Sequence, residues 1–202
     1  MKINLIDINQ RMTDAWEKEF IDYSDVNVIN GSIFDVLSDT IVSPANSFGI
    51  MDGGIDGKIR DYFGFEIEKK VRQKIDTEYF GELPVGCAIL TKTDDNKIKY
   101  LISAPTMRVP ENVSDTLNAY LAMRAIMSVC ILHDLRSVSI PGLCSLSGSM
   151  EYKIVARQMR AAYDRVILKK LNYYHWREER YLEDYLKCKT DILPEDIEGR
   201  RY

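Results

Sequence analysis

The stretch of sequence that decides the fold lies between a short β-branched run and a helical pattern. It reads Ser43-Pro44-Ala45-Asn46-Ser47-Phe48-Gly49-Ile50-Met51-Asp52-Gly53-Gly54-Ile55-Asp56-Gly57. Glycines placed after a strand and before a helix let the backbone approach a ligand closely, and the first turn of the helix offers unpaired amide groups to an anion. The stretch therefore indicates an anion-binding loop or, taken alone, a glycine-rich turn that only caps a helix.

Two polar side chains in this stretch suit the chemistry of a sugar. Asn46 offers both a hydrogen-bond donor and an acceptor, which fit a vicinal diol. Asp56 lies near the predicted helix start, where the positive end of the helix dipole favours an ionised carboxylate. Such a carboxylate can orient a hydroxyl or a water molecule; in the simpler interpretation it caps the helix.

Strand-length apolar runs alternate with helical patterns along the rest of the chain. The sequence predicts strands over 2–8, 26–29, 40–42, 88–92, 99–103 and 137–140, and helices over 11–21, 56–75, 115–134 and 150–171. This order predicts an α/β fold with a mostly parallel sheet and helices on both faces. Such sheets bind ligands at the carboxyl ends of their strands, where we place the loops 43–57, 104–114 and 141–150.

Composition narrows the class of protein further. The 202 residues suit one domain, or one domain with a tail, and 46% of them are hydrophobic. The net charge of -4 provides no basic excess for a nucleic-acid backbone, so we do not expect nucleic-acid binding.

Cysteine and histidine positions do not form a metal-binding pattern. None of the four cysteines is part of a pair separated by two residues, and His133 and His175 have no second ligand nearby in sequence. The chain shows neither the apolar segment of a signal peptide nor a run of ~20 apolar residues. We therefore expect a cytoplasmic protein with free thiols, no metal, no cofactor and no membrane contact.

A second small-residue loop follows the last predicted strand. It reads Pro141-Gly142-Leu143-Cys144-Ser145-Leu146-Ser147-Gly148-Ser149-Met150. Its backbone amides and serine hydroxyls are suited to wrapping a diphosphate. Taken alone, the loop is better interpreted as an ordinary connection without a ligand.

Ordered motifs across this chain resemble the macro domain family. The run 41–46 is similar to the family's Ile-Val-Asn-Ala-Ala-Asn, and 53–59 to its Gly-Gly-Val-Asp-Gly-Ala-Ile. The loop 141–150 resembles the family's second phosphate loop, and 156–163 the helix that follows it. Segments 81–86, 104–110 and 116–120 look like a bacterial and phage branch of the family. The resemblance runs from about Val26 to Leu168.

This resemblance implies a three-layer α/β/α sandwich that holds ADP-ribose in a surface cleft. It implies that Asn46 contacts the distal ribose and that Asp56 orients a water or a ribose hydroxyl, so an ADP-ribosyl linkage would be hydrolysed at the anomeric carbon. The alternative is a module that binds ADP-ribose or a related nucleotide without chemistry. The residues expected to contact the ligand besides Asn46 and Asp56 are Ser32, Ile33, Ala45, Phe48, Gly53, Gly54, Ile55, Arg108, Gly142, Cys144, Ser145, Leu146, Ser147 and Gly148.

The chain departs from the family pattern at several positions. Ser32 stands where many members have an aspartate that accepts a hydrogen bond from the adenine amino group, and Asp35 is the candidate substitute. Cys144 and Leu146 stand where relatives usually have glycine, so we expect their Cβ atoms to narrow the approach to a phosphate. Ser43 replaces an asparagine.

Several single residues have two interpretations. Cys144 is either a reactive thiol beside a helix start or, more commonly, a packing residue. Phe48 and Met107 either cover the ligand or belong to the core. Arg108 either reaches a phosphate or is an ordinary surface arginine.

The composition changes after about Lys170. We divide the chain into an ADP-ribose-binding domain over 1–170 and a helical extension and tail over 171–202. The stripe formed by Tyr181 and Tyr185 has to be buried, so we expect the extension to pack on the domain. A protein partner for the extension is the alternative.

Overall fold

The computed structural model describes residues 1–170 and 176–190. Six strands and six helices alternate along these residues. The strands are β1 (Lys2–Asp7), β2 (Val26–Asn30), β3 (Thr40–Ser43), β4 (Ile89–Lys92), β5 (Tyr100–Ser103) and β6 (Ser137–Ile140). The helices are α1 (Gln10–Glu19), α2 (Gly54–Phe63), α3 (Phe65–Tyr79), α4 (Asn118–Leu132), α5 (Tyr152–Val166) and α6 (Trp176–Lys187).

The strands form one mixed sheet in the order β2-β1-β6-β3-β5-β4. β1 is parallel to β2 and β6, and β3 is parallel to β5 and β6. Only the edge pair β4–β5 is antiparallel among these strands. The predicted mostly parallel sheet is therefore confirmed. Because β6 lies between β1 and β3, the loops after these three strands leave the same edge side by side.

Neighbouring residues of the central strands pack into two separate hydrophobic cores, one on each face of the sheet. Ile41 and Leu101 belong to the core that α2 and α3 cover, whereas Val42 and Ile102 belong to the core that α1, α4 and α5 cover. Successive strand residues point to opposite faces of a sheet. The result is the three-layer α/β/α sandwich that the sequence predicted.

The predicted helix over 56–75 is in fact two helices. The chain breaks at Gly64, whose φ of +84° lies in the left-handed region that glycine adopts without a steric penalty. Apolar residues continue at helical spacing on both sides of the break, so periodicity alone did not reveal it. The predicted helices over 115–134 and 150–171 are also shorter, as Asn118–Leu132 and Tyr152–Val166.

The C-terminal helix α6 packs against α5. The Arg157 guanidinium donates to the carbonyl oxygens of Tyr185 at 3.1 Å and Cys188 at 2.9 Å, and it lies 4.7 Å from the centre of the Tyr185 ring. Gln158 donates to the carbonyls of Thr116 at 2.8 Å and Leu186 at 3.3 Å. The bonds to Tyr185, Leu186 and Cys188 hold carbonyl groups at and just beyond the end of α6.

The division of the chain near residue 170 and a protein partner for the extension stay predictions. Residues 171–175 and 191–202, which complete that extension, lie outside the described part of the chain. Among the helices of residues 1–170 and 176–190, none has the length and apolar character needed to cross a membrane.

We predict that Arg157→Met releases α6 from the domain. The methionine keeps an apolar stem but loses two charge-assisted hydrogen bonds, so we expect a loss of about 2 kcal/mol in the free energy that holds α6 in place. Amide hydrogen exchange should then accelerate in α6 while α4 and α5 remain protected. Arg180→Met, which removes an exposed ion pair inside α6, is the control and should change little. Unaltered exchange in the Arg157 variant would contradict the assigned role.

Candidate functional site

A cleft of about 410 Å³ opens at the carboxyl edge of the sheet. The ends of β1, β2, β3, β5 and β6 all reach it, because its lining includes Asp7 and segments from the loops that follow the other four strands. Its volume falls in the range of small-molecule sites. The chain therefore provides a concave site at the place where open parallel sheets bind their ligands.

Fourteen of the sixteen residues predicted to form the site line this cleft. They are Ser32, Ile33, Ala45, Asn46, Gly53, Gly54, Ile55, Asp56, Gly142, Cys144, Ser145, Leu146, Ser147 and Gly148. The two glycine-containing loops thus meet at one site.

Phe48 and Arg108, in contrast, do not belong to the cleft lining. The Arg108 guanidinium binds the Glu82 carboxylate through two hydrogen bonds of 2.7 and 3.0 Å and lies 5.0 Å from the centre of the Phe48 ring. Arg108 therefore contacts both Phe48 and Glu82, and the predicted ligand contacts of Phe48 and Arg108 stay predictions. Met107, an open alternative from the sequence, does line the cleft.

The first glycine loop presents the start of α2 to the cleft. Gly53 is the N-cap of α2, and Gly54 has a left-handed φ of +57° that favours glycine. A Cβ added at either position would meet no atom within 4 Å, so open space lies beside this backbone. The amide groups of the first helical turn lack partners within the helix and are therefore available to an anion.

The second glycine loop is tightly fixed to the rest of the domain. A Cβ on Gly148 would lie 2.6 Å from the Cys144 carbonyl oxygen and 2.7 Å from a Val113 methyl group, which leaves room only for glycine. The Gly148 carbonyl accepts a hydrogen bond from the Val113 amide at 2.9 Å. At the start of the loop, the Gly142 amide donates to the Asp7 carboxylate at 3.1 Å. The Gly142 amide is therefore already bonded to Asp7, and the amides of the later loop residues are the candidates for binding a ligand.

Cys144 and Leu146 accommodate their side chains in different ways. Cys144 adopts a left-handed φ of +63°, which agrees with glycine being usual there, and its side chain is buried with the thiol 3.9 Å from the Thr106 carbonyl. Burial raises the pKa of this thiol to about 12, so the thiol stays protonated and unreactive at neutral pH. Leu146 is 72% exposed at the tip of the loop and adds an apolar group to the rim of the cleft.

Asn46 stabilises its own loop. Its side-chain oxygen accepts hydrogen bonds from the amides of Phe48 at 3.0 Å and Ile50 at 3.2 Å, and its side-chain nitrogen donates to the Ile50 carbonyl at 2.7 Å. A carboxamide has two N–H donors and two acceptor lone pairs. One N–H therefore remains for a ligand hydroxyl, which is a narrower role than the donor-and-acceptor pair predicted from the sequence.

Asp56 is the buried carboxylate of the cleft. It lies in the first turn of α2 and is only 8% exposed, and it accepts a hydrogen bond from the hydroxyl of Ser43 at the end of β3. Burial raises its pKa to about 6; the Ser43 hydrogen bond acts against this rise, and the charges of Asp52 and Glu68 add to it. A carboxyl group with this pKa is mostly ionised at pH 7. The ionised form expected from the sequence is therefore the main one at neutral pH, although burial disfavours it.

The loop after β2 adds an aromatic side chain to the cleft lining. Phe34 lines the cleft and stacks on Tyr62 with ring centres 4.7 Å apart. The Ser32 hydroxyl accepts a hydrogen bond from the Phe34 amide at 3.3 Å, which leaves its own hydrogen free to donate. Asp35, the candidate substitute for an aspartate at 32, is exposed and is not part of the cleft lining.

Sequence reasoning missed several charged residues of the cleft. Asp7, Asp52 and Lys58 all line it. The position of Asp7 at the carboxyl end of a predicted strand is a signal that would have found it. Nothing in the local pattern distinguishes Asp52 and Lys58 from other surface charges. Three carboxylates against one ammonium group mean that an anionic ligand has to be held mainly by backbone amides.

No group of three or more histidine, cysteine, aspartate or glutamate side chains suited to a metal occurs within 1–170 and 176–190.

We predict that Asp56→Asn stabilises the protein at neutral pH. The pKa of Asp56 in the folded protein lies above its ordinary value of 3.8, so ionisation of Asp56 destabilises the folded protein. This loss of stability is absent at pH values below 3.8 and complete at pH values above the folded-state pKa. The free energy of unfolding at pH 8 should exceed that of the wild type by about 2–3 kcal/mol. Urea unfolding between pH 4 and 8 measures this difference, which should shrink toward pH 4. Asp61→Asn, an exposed carboxylate on the same helix, is the control, and a difference that does not depend on pH would contradict the analysis.

Comparison with known proteins places this architecture in a family. The sequence model of the macro domain family matches residues 42–159, which is more than half of the chain. An uncharacterised protein of Aquifex aeolicus is 36% identical over 135 residues, covering 67% of this chain and 78% of that protein.

Among solved structures, the macrodomain of Oceanobacillus iheyensis with ADP is similar with a TM-score of 0.61 and 20% identity, covering 69% of this chain and 75% of that one. A variant of that macrodomain with ADPR is similar with a TM-score of 0.56 and 22% identity, covering 64% and 72%. These structures share the fold of this chain. The sequence match and the shared fold together assign the chain to the macro domain family.

Proposed function

We propose that the protein binds ADP-ribose, or a close derivative, and hydrolyses an ADP-ribosyl linkage. The observation that carries this proposal is the convergence of the α2 N-terminus, the 142–148 loop and a buried carboxylate in one cleft. The family binds ADP-ribose, and two of the similar structures hold ADP or ADPR. Their ligands support the choice of ligand class for this chain.

The binding half of the proposal rests on amide donors and apolar walls. A diphosphate lying between the first turn of α2 and the second loop would meet donors from both sides, and such charge-assisted bonds are strong. Phe34 and Ile33 provide an apolar wall that suits a nucleobase, and the Ser32 hydroxyl can donate to a ring nitrogen. The acidic side chains Asp7 and Asp52 disfavour extra phosphate groups beyond the two that the amides can hold.

The catalytic half rests on Asp56 and Asn46. With the distal ribose beside the start of α2, the ionised Asp56 carboxylate orients a water molecule or a ribose hydroxyl, and the remaining N–H of Asn46 holds the sugar. The bond from the anomeric carbon to the modified group breaks, and that group leaves with the electron pair and takes up a proton. The water oxygen bonds to the same carbon through an oxocarbenium-like transition state and loses a proton.

A non-catalytic reader of ADP-ribose is the second candidate function. It is favoured by the engagement of Asn46 within its own loop and by the exposed Leu146 at the rim. Tight binding without turnover would select this reader.

Binding is tested by Gly53→Val. The valine side chain would occupy the open space of the cleft beside the amides, so we expect ADP-ribose to bind at least about tenfold more weakly in calorimetry. Loss of the glycine N-cap should cost only about 1 kcal/mol of stability. Gly64→Ala is the control for lost stability, because the Gly64 φ of 84° and ψ of 166° are essentially restricted to glycine, so alanine should cost about 1–3 kcal/mol at a site outside the cleft lining. Equal affinity in the Gly53 variant and the wild type would contradict the binding site.

Turnover is tested by release of ADP-ribose from an ADP-ribosylated protein. We expect the rate to rise with pH through about 6, the pKa of Asp56, because the ionised form is the active one. Asp56→Asn should lower kcat by about 100-fold, while Asn46→Ala should weaken binding as well, because it loosens the loop. Asp35→Asn, an exposed carboxylate outside the cleft, should retain the wild-type rate. Release that continues unchanged in the Asp56 variant would exclude hydrolysis through this residue.

A further inference from the structure

The Ser43 side chain is the one hydrogen-bond donor that the described residues bring to the Asp56 carboxylate from a side chain. Ser43 is the last residue of β3 and is 1% exposed, and its hydroxyl donates to Oδ1 of Asp56. The two residues are 13 positions apart, with the whole first glycine loop between them. This bond therefore joins the end of the central strand to the first turn of α2.

We propose that Ser43 is a positioning residue, which holds the Asp56 carboxylate in the orientation that serves the cleft through its hydroxyl hydrogen bond. The inference rests on the proposed function for its catalytic consequence, but the positioning itself is a property of the folded protein. A buried carboxylate without a fixed donor has several rotamers to choose from. With one oxygen held by Ser43, the other is left to a water molecule or a ribose hydroxyl.

The charges around Asp56 explain why the protein needs this bond. Asp52, in the loop before α2, and Glu68, on α3, both act to raise the pKa of Asp56, as burial does, and the Ser43 hydrogen bond lowers it. The ammonium group of Lys58 lines the same cleft, and Glu68 is partly compensated by Arg60 at 3.8 Å. The Ser43 hydrogen bond thus opposes the rise in the Asp56 pKa that burial and the two like charges cause. It favours the ionised form of Asp56 at neutral pH.

A hydroxyl also suits both protonation states of its partner. It donates to the carboxylate and can accept from the carboxylic acid. Serine at this position, where the resemblance gives asparagine, therefore lets the contact persist while Asp56 gains or loses a proton.

The test compares Ser43→Ala with Ser43→Thr, which keeps the hydroxyl. In the release assay, Ser43→Ala should shift the acid limb of the kcat profile up by about one pH unit and lower kcat at pH 6.5 about tenfold, with partial recovery at pH 9. Ser43→Thr should retain the wild-type limb. The affinity for ADP-ribose should stay within about twofold in both variants, since neither change touches the amides. A Ser43→Ala profile that coincides with that of the wild type would overturn the proposal.

A second measurement keeps this test independent of turnover. Carbon-13 NMR titration of the Asp56 carboxyl should give a higher pKa in Ser43→Ala than in the wild type, and an unchanged pKa would overturn the positioning role. Ser43→Cys, close in size and a weak donor, replaces the alanine variant if that variant does not fold. A wild type that releases no ADP-ribose contradicts hydrolysis, whereas the titration still decides the role of Ser43.

Discussion

The parallel register of β1, β3 and β6 is the constraint on which the site depends. Parallel strands end at the same edge of a sheet, so the residues that follow them are brought together without being close in sequence. β6 lies between β1 and β3, which sets the second glycine loop directly between Asp7 and the first glycine loop. The Gly142–Asp7 hydrogen bond and the Ser43–Asp56 hydrogen bond then fix the two loops to the ends of these strands.

The side chains that line the cleft carry a net negative charge, which disfavours the binding of an anion. The cleft carboxylates would repel a diphosphate, and Lys58 alone does not balance them. The amides of the first turn of α2 and of the second loop carry no net charge of their own, yet they are the donors that we propose for a phosphate. The proposed anion-binding surface thereby lies beside a carboxylate that is buried enough to have a pKa of about 6. Carboxylates with strongly perturbed pKa values in clefts are common at functional sites, so the burial of Asp56 supports its proposed role in chemistry or orientation.

Much of this arrangement could be predicted from sequence, and the exceptions have physical causes. Alternating apolar patterns predicted the order of strands and helices, and the two glycine-containing loops were predicted at one edge of the sheet, where both line the cleft. The break at Gly64 was missed because apolar spacing continues through it. The contacts of Arg108 with Glu82 and Phe48 could not be predicted, because they depend on which loops the fold brings together. The hydrogen bonds of Asn46 within its own loop and the burial of Asp56 could likewise not be predicted from the sequence, since both depend on the conformation of the loop between these residues.

The most direct measurement is a crystal structure of the protein with ADP-ribose. The account predicts the diphosphate between the amides of the first α2 turn and those of the 143–148 segment, with the distal ribose beside Asp56 and the base near Ser32 and Phe34. A ligand found outside this cleft, or a second loop that blocks the diphosphate with Leu146, would contradict it.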